Sequence, residues 1–191
     1  EGEGWFASAM GDGAVGYPLA VPNVSADPSA PLAEATSYVM GGNYNSGNQH
    51  VLNLNVNGAE DTAYFVGFSV NRFNFPLLSN SSISSGTATF LFTPGTGVTN
   101  RNFVSFVKVV YPHTFSFSGQ SSNFLKMQIP GNLSPAKSYL NITNLNMNSP
   151  RLYMFSGDSL KRVEMTGSGT NWQALVPTYG VDKKCFITDS I

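Results

Sequence analysis

Charge is scarce in this chain. Only 11% of its 191 residues are Asp, Glu, Lys or Arg, against about 25% in an ordinary soluble domain. The net charge is -1, and 10 Lys+Arg hardly supply the basic surface that phosphate backbones demand, so no nucleic acid is expected as a partner. No polybasic membrane patch is expected, on the same ground. Cysteine is nearly absent: Cys185 alone rules out an internal disulfide and any multi-cysteine zinc site. No apolar run approaches the ~18 residues of a transmembrane helix, so no transmembrane segment is expected. Helical periodicity is missing too, with no window that spaces its apolar residues at i, i+3, i+4, i+7.

What the chain does have is alternation. In "VLNLNVNG", Leu52, Leu54 and Val56 point one way and Asn53, Asn55 and Asn57 the other, and the run ends at a turn-forming Asn57-Gly58. "TAYFVGFSV" sets Tyr64, Val66, Phe68 and Val70 in one register. "GTATFLFTPG" turns Ala88, Phe90 and Phe92 inward, and "FLKMQIPG" does the same with Leu125, Met127 and Ile129. Asn102 to Tyr111 is apolar on both registers, as in a central strand covered on both faces. Pro112 cannot donate to a ladder and marks a bulge or an edge. After it, "HTFSFSG" alternates again. Turn residues recur throughout, with 19 Gly and 11 Pro. The pattern predicts an all-β fold, a two-sheet β-sandwich of jelly-roll-like type with roughly ten to twelve strands. No linker interrupts it, so a single domain is expected over 1–191, with polar loops at Ala26–Glu34, Gly41–Gln49 and Ser79–Gly86.

Candidate chemistry is sparse. Cys185 with His50 or His113 would make a nucleophile and base, but Cys185 sits within the strand-like "KKCFITD", where a small buried apolar residue belongs. His113 reads as a packed strand residue and His50 as a loop residue before a strand. The acids, among them Glu60, Asp61, Asp158, Glu164, Asp182 and Asp189, show no special spacing, and a glycosidase needs two of them together in a cleft. "GDG" at Gly11–Gly13 lacks the ligand run of a calcium loop. Asn23, Asn80, Asn132 and Asn141 occupy N-x-[ST] sequons. Sugar-stacking aromatics are the remaining option: Tyr44 in a Gly/Asn loop, then Tyr38 and Trp172, with Trp5 beside them. No catalytic residue, cofactor or metal is expected.

Longer stretches carry a resemblance. "FVSFVKVVYPHTFSFSGQSSNFLKMQIPG", followed by "SYLNITNLNMNSPRLYMFSGDSLKRVEM", resembles the region ahead of the catalytic domain in gingipain-like cysteine peptidases of the Bacteroidetes. That group includes the sortase of the type IX secretion system. The matching elements are Val109-Val110-Tyr111-Pro112, Phe115-Ser116-Phe117, Ile142-Thr143-Asn144 and Pro150-Arg151-Leu152-Tyr153, with "VLNLNVNG" and "GEGWF" upstream. His113 stands where relatives are expected to carry Arg. The resemblance implies a non-catalytic β region of an exported, surface-located protein, with the peptidase His and Cys downstream of Ile191 in the same chain. Asp61-Thr62-Ala63, Asp158-Ser159-Leu160 and Asp189-Ser190-Ile191 resemble the O-glycosylation signal of such exported proteins. The opening "EGEGWFASAM" has no charged segment followed by an apolar one, so any leader is expected to have been removed; the closing "KKCFITDSI" reads as a strand that simply stops, so the chain is expected to be part of a longer protein. The competing expectation is a free-standing carbohydrate-binding or adhesin module, with a glycan or surface protein as partner.

Overall fold

The computed structural model describes residues 7–42, 49–95, 101–120, 124–134 and 136–189. Its contacts gather into two compact units, Glu1–His113 and Thr114–Ile191, where the uninterrupted sequence suggests one domain. Both units are all-β. The first holds β1 (Val15–Ala20), β2 (Ala33–Gly41), β3 (Gln49–Val56), β4 (Ala59–Val66), β5 (Val70–Leu78), β6 (Thr87–Pro94) and β7 (Asn102–Val110). These pair antiparallel in two sheets, β1-β6-β3-β4 and β5-β2-β7. The second holds β8 (Phe124–Ile129), β9 (Lys137–Ile142), β10 (Arg151–Ser156), β11 (Ser159–Val163), β12 (Met165–Ser168), β13 (Asn171–Pro177) and β14 (Lys183–Thr188). Its sheets are β11-β10-β14-β8 and β12-β13-β9. In this unit the first strand pairs with the last and the second with the next to last, the nested pairing of a jelly roll.

Each unit has its own buried cluster. In the first, Leu52, Leu54 and Val56 of β3 and Ala88, Phe90 and Phe92 of β6 are fully buried, as their alternation predicts. They face Ala35 and Val39 of β2 and Phe73 of β5; the Phe73 and Phe92 rings meet edge to face at 6.3 Å. Such a ring, taken out of water, contributes roughly 1.5–3 kcal/mol. In the second, Leu140, Ile142, Leu152, Val176 and Ile187 are buried, Ile129 joins them, and Leu125 and Met127 pack against them from partly exposed positions.

Turn chemistry sets the registers. Asn57 and Gly58 both adopt positive φ, 47° and 95°, which gives the two-residue loop that matches strand twist. It joins β3 to β4 with Val56 opposite Ala59. The Asn57 amide donates to the Ser82 carbonyl (2.7 Å) and the Thr87 carbonyl (3.1 Å), and its oxygen accepts from the Thr89 N–H at 2.7 Å.

Four sequence expectations change. Strands number fourteen among the described residues, because "LKRVEMTG" splits at Glu164 into β11 and β12 and "TAYFVGFSV" breaks at Gly67 (φ 59°) between β4 and β5. The apolar register of that second run faces out: Tyr64, Val66, Phe68 and Val70 are exposed, while Phe65 is buried. β7 is not central but lies at the edge of its sheet. Tyr38 pairs with Phe106 and Val39 with Val104, so Ser105 is an extra residue, and such a bulge shifts the side-chain parity. Phe106 and Val110 are therefore exposed. Finally, "HTFSFSG" forms only isolated bridges, His113 to Val24 and Ser116 to Thr143, as the chain passes from one unit to the next.

Candidate functional site

Of the three expected sugar-stacking aromatics, the structure describes Tyr38 in the first unit and Trp172 in the second. Tyr44 lies outside the described residues. Tyr38 sits on the outer face of β2, in a row with Arg72 of β5 and Phe106 of β7. Its ring packs on Phe106 at 4.9 Å, and the Arg72 guanidinium lies 5.8 Å from its centroid. Trp172 is partly buried against the second core, and its indole N–H donates to the Gly169 carbonyl at 3.0 Å. It is tied into the turn between β12 and β13.

The environment of Cys185 does not favour the nucleophile option. Cys185 is buried in the second unit's core. Loss of solvent pushes its thiol up to about 11, with Lys183 pulling slightly the other way, so almost none is thiolate near neutral pH. His50 is not a loop residue: it belongs to β3, buried and stacked on Phe65 at 5.0 Å. Among the described residues no three His, Cys, Asp or Glu side chains gather as metal ligands would, and no helix is long and apolar enough to cross a membrane.

Some modification candidates are spent internally. The Asn80 side chain accepts from the Ala33 N–H and donates to the Pro31 carbonyl, both at 2.9 Å, and is buried. Thr62 receives the Asn53 amide at 3.2 Å. Ser159 is exposed at the start of β11. Asp189-Ser190-Ile191 runs beyond the described residues.

A cleft of about 320 Å³ in the second unit is lined by Phe115, Ile129, Pro130, Asn132, Lys137, Ser138, Tyr139 and Leu140. Its polar groups mostly engage one another: Asn132 donates to the Ser138 hydroxyl (3.1 Å), which also meets Thr178 Oγ1 (2.8 Å).

The most developed surface is one the sequence reading did not single out. It is the outer face of β11-β10-β14-β8. Partners directly opposite share a face, so the register gives its rows. One row runs Phe124–Thr188–Arg151, and the next runs Lys126–Phe186–Tyr153–Arg162. Gln128–Lys184 and Phe155–Leu160 extend it. The Phe186 ring lies 5.2 Å from Phe124, 5.2 Å from Tyr153 and 5.9 Å from Phe155. Lys126 Nζ stands 5.7 Å from the Phe124 centroid. None of these register positions holds an acid. The sequence signal was the apolar character of both registers in "RLYMFSG": Leu152 and Met154 are buried, and Tyr153 and Phe155 lie on the opposite face.

The units also differ in charge. The first carries three cations, Arg72, Arg101 and Lys108, against seven acids; the second carries seven cations against four acids. Net charges of -4 and +3 are hidden in a total of -1.

No family model matches the chain, and no curated protein matches it. Among solved structures it is similar to the crystal structure of dimeric latent PorU from Porphyromonas gingivalis, with a TM-score of 0.61 and 13% identity. The match covers 97% of this chain and 18% of that one. At this identity the likeness is one of fold.

Proposed function

We propose that this chain is a non-catalytic accessory β region of an exported gingipain-like cysteine peptidase, and that it packs beside a catalytic domain of the same polypeptide. One observation carries the reading: nearly the whole chain matches less than a fifth of PorU, a type IX secretion sortase-like, gingipain-related protein. The segments from Phe103 to Met165 support it by their resemblance to the same group. An exposed apolar surface where β4 passes to β5 gives it a physical means. Tyr64, Val66, Phe68 and Val70 follow one another there, all more than half exposed, and a face that packs on a neighbouring domain loses its cover when that domain is absent.

The test is the size of the native product. An antibody against the loop Ala26–Leu32 is used to blot the envelope and medium fractions of the source organism. The expected band is several times larger than 20.5 kDa, and its sequence contains a Cys/His peptidase beyond Ile191. A band near 20.5 kDa would overturn the reading.

A further inference from the structure

We infer that the outer face of β11-β10-β14-β8 is a docking surface for an acidic polypeptide segment that carries apolar side chains. This does not depend on the family reading. On the first unit's β3–β4 pair, beyond the exposed Tyr64 and Val66, one stretch shows what a merely solvated patch of sheet looks like in this chain. There Asn53 bonds to Thr62 and Asn55 to Glu60 across β3 and β4, a polar ladder that needs no partner. On the second unit the same kind of position is given to phenylalanine, and Phe124 and Phe155 are left 42% and 49% exposed. Lys126 and Arg162 close the two ends of the aromatic row. Four strands about 4.8 Å apart put those ends roughly 14 Å from each other, a span an extended segment crosses easily. Arg151 and Lys184 extend the positive rim, and within a Debye length of this face the unit's net charge of +3 favours an anion.

Ring geometry selects the occupant. Sugars and nucleobases stack on a free ring face. Tyr153 and Phe186 are nearly parallel, 22° apart, with centroids at 5.2 Å, so each already covers a face of the other. Edges and the grooves between them receive aliphatic and aromatic side chains, while carboxylates on the incoming segment meet the lysines and arginines at the rim. A patch of this size is smaller than the ~800 Å² per partner of a stable complex, so the contact is weak and salt-sensitive.

The experiment uses the 191-residue chain with amide NMR as readout. The probe is a short synthetic peptide that alternates glutamate with leucine and phenylalanine. Its lysine counterpart, polygalacturonate and an oligo-dT strand serve as comparisons. The acidic peptide is expected to shift the amides of β8, β14 and β10, and Lys126→Glu with Arg162→Glu to weaken it by at least about tenfold. Phe124→Thr weakens it as well. If the double charge reversal does not fold, Lys126→Gln with Arg162→Gln takes its place and reports the same loss in smaller measure. Equal binding of the lysine peptide would overturn the charge assignment. Binding of polygalacturonate or oligo-dT in place of the peptide would give the face to a glycan or a nucleic acid. No shift with the acidic peptide, or shifts outside these strands, would overturn the proposal outright.

Discussion

The two units use the same materials in opposite ways. Each stacks a four-stranded on a three-stranded antiparallel sheet. In the first, Phe73, Phe90 and Phe92 are the largest fully buried side chains, while Phe68 and Phe106 stay exposed on separate strands and loops. The second builds its core mostly from Leu, Ile, Val and Met, with Phe117 among them, and gathers Phe124, Phe155 and Phe186 on an outer face. A sandwich needs one apolar face per sheet, so aromatics on the other face exceed what the fold requires. Where they concentrate, with cations around them, the surface has a second task.

The largest effects come from breaking one core and watching the other. Phe92→Ala is expected to cost about 3–5 kcal/mol and Ile187→Ala about 2–5 kcal/mol, each confined to its own unit. Hydrogen exchange followed by mass spectrometry reads this directly. If Phe92→Ala releases the amides of β10 and β14 as readily as those of β3 and β6, the units unfold as one, and a single cooperative domain over 1–191 is the right description.

Backbone crowding sharpens the contrast next. A Cβ on Gly41 would run into the Gly67 carbonyl oxygen and stand 2.8 Å from His50 Nε2, so Gly41→Ala is expected to cost about 1–3 kcal/mol, all of it in the first unit. Gly11→Ala, which meets nothing, is the matched control in thermal unfolding.

Thiol chemistry offers a smaller, one-sided signal. Cys185 is buried with its pKa raised to about 11, so a disulfide reagent at pH 8 is expected to leave the native chain unlabelled for as long as the second unit stays closed. Ile187→Ala should speed labelling and Phe92→Ala should not. Prompt labelling of the unmodified chain would contradict the burial.

Asp182 gives the smallest effect. Hydrogen bonds from the Gly131 N–H (2.9 Å) and the Gln128 amide (2.8 Å) hold its carboxyl below the ordinary 3.8. A group lowered in this way contributes stability above its unfolded pKa and loses it as pH falls through the folded one. Acid titration should therefore remove a small increment from the second unit below about pH 4, and Asp182→Asn should abolish that increment with no matching change in the first.

Much of the fold was legible from period alone. Leu52, Leu54 and Val56, and likewise Ala88, Phe90 and Phe92, are buried as their spacing predicts, because a strand turns alternate side chains to one face whatever its neighbours are. Phase was harder. Ser105 adds a residue to β7 and reverses its parity, and Gly67 ends a strand within an unbroken apolar run; both depend on partners far along the chain. The candidate surface was hidden for a similar reason. Phe124, Phe186 and Tyr153 are spread over more than sixty residues, and only the order β10-β14-β8 makes them neighbours. Summing charge over the whole chain concealed the split between the units.

Asn57-Gly58 has one more consequence. Asparagine before glycine is the pair in which a protein ages fastest, since the glycine nitrogen attacks the side-chain carbonyl and leaves aspartate or isoaspartate behind. Here the attacking Gly58 nitrogen donates to Asn55 Oδ1 at 2.9 Å, and the Asn57 amide is held by three backbone groups. The same bonds that fix the register of a hairpin thus act as a preservative, and a chain that meets no repair enzyme after synthesis keeps its turn for longer than the dipeptide alone would allow.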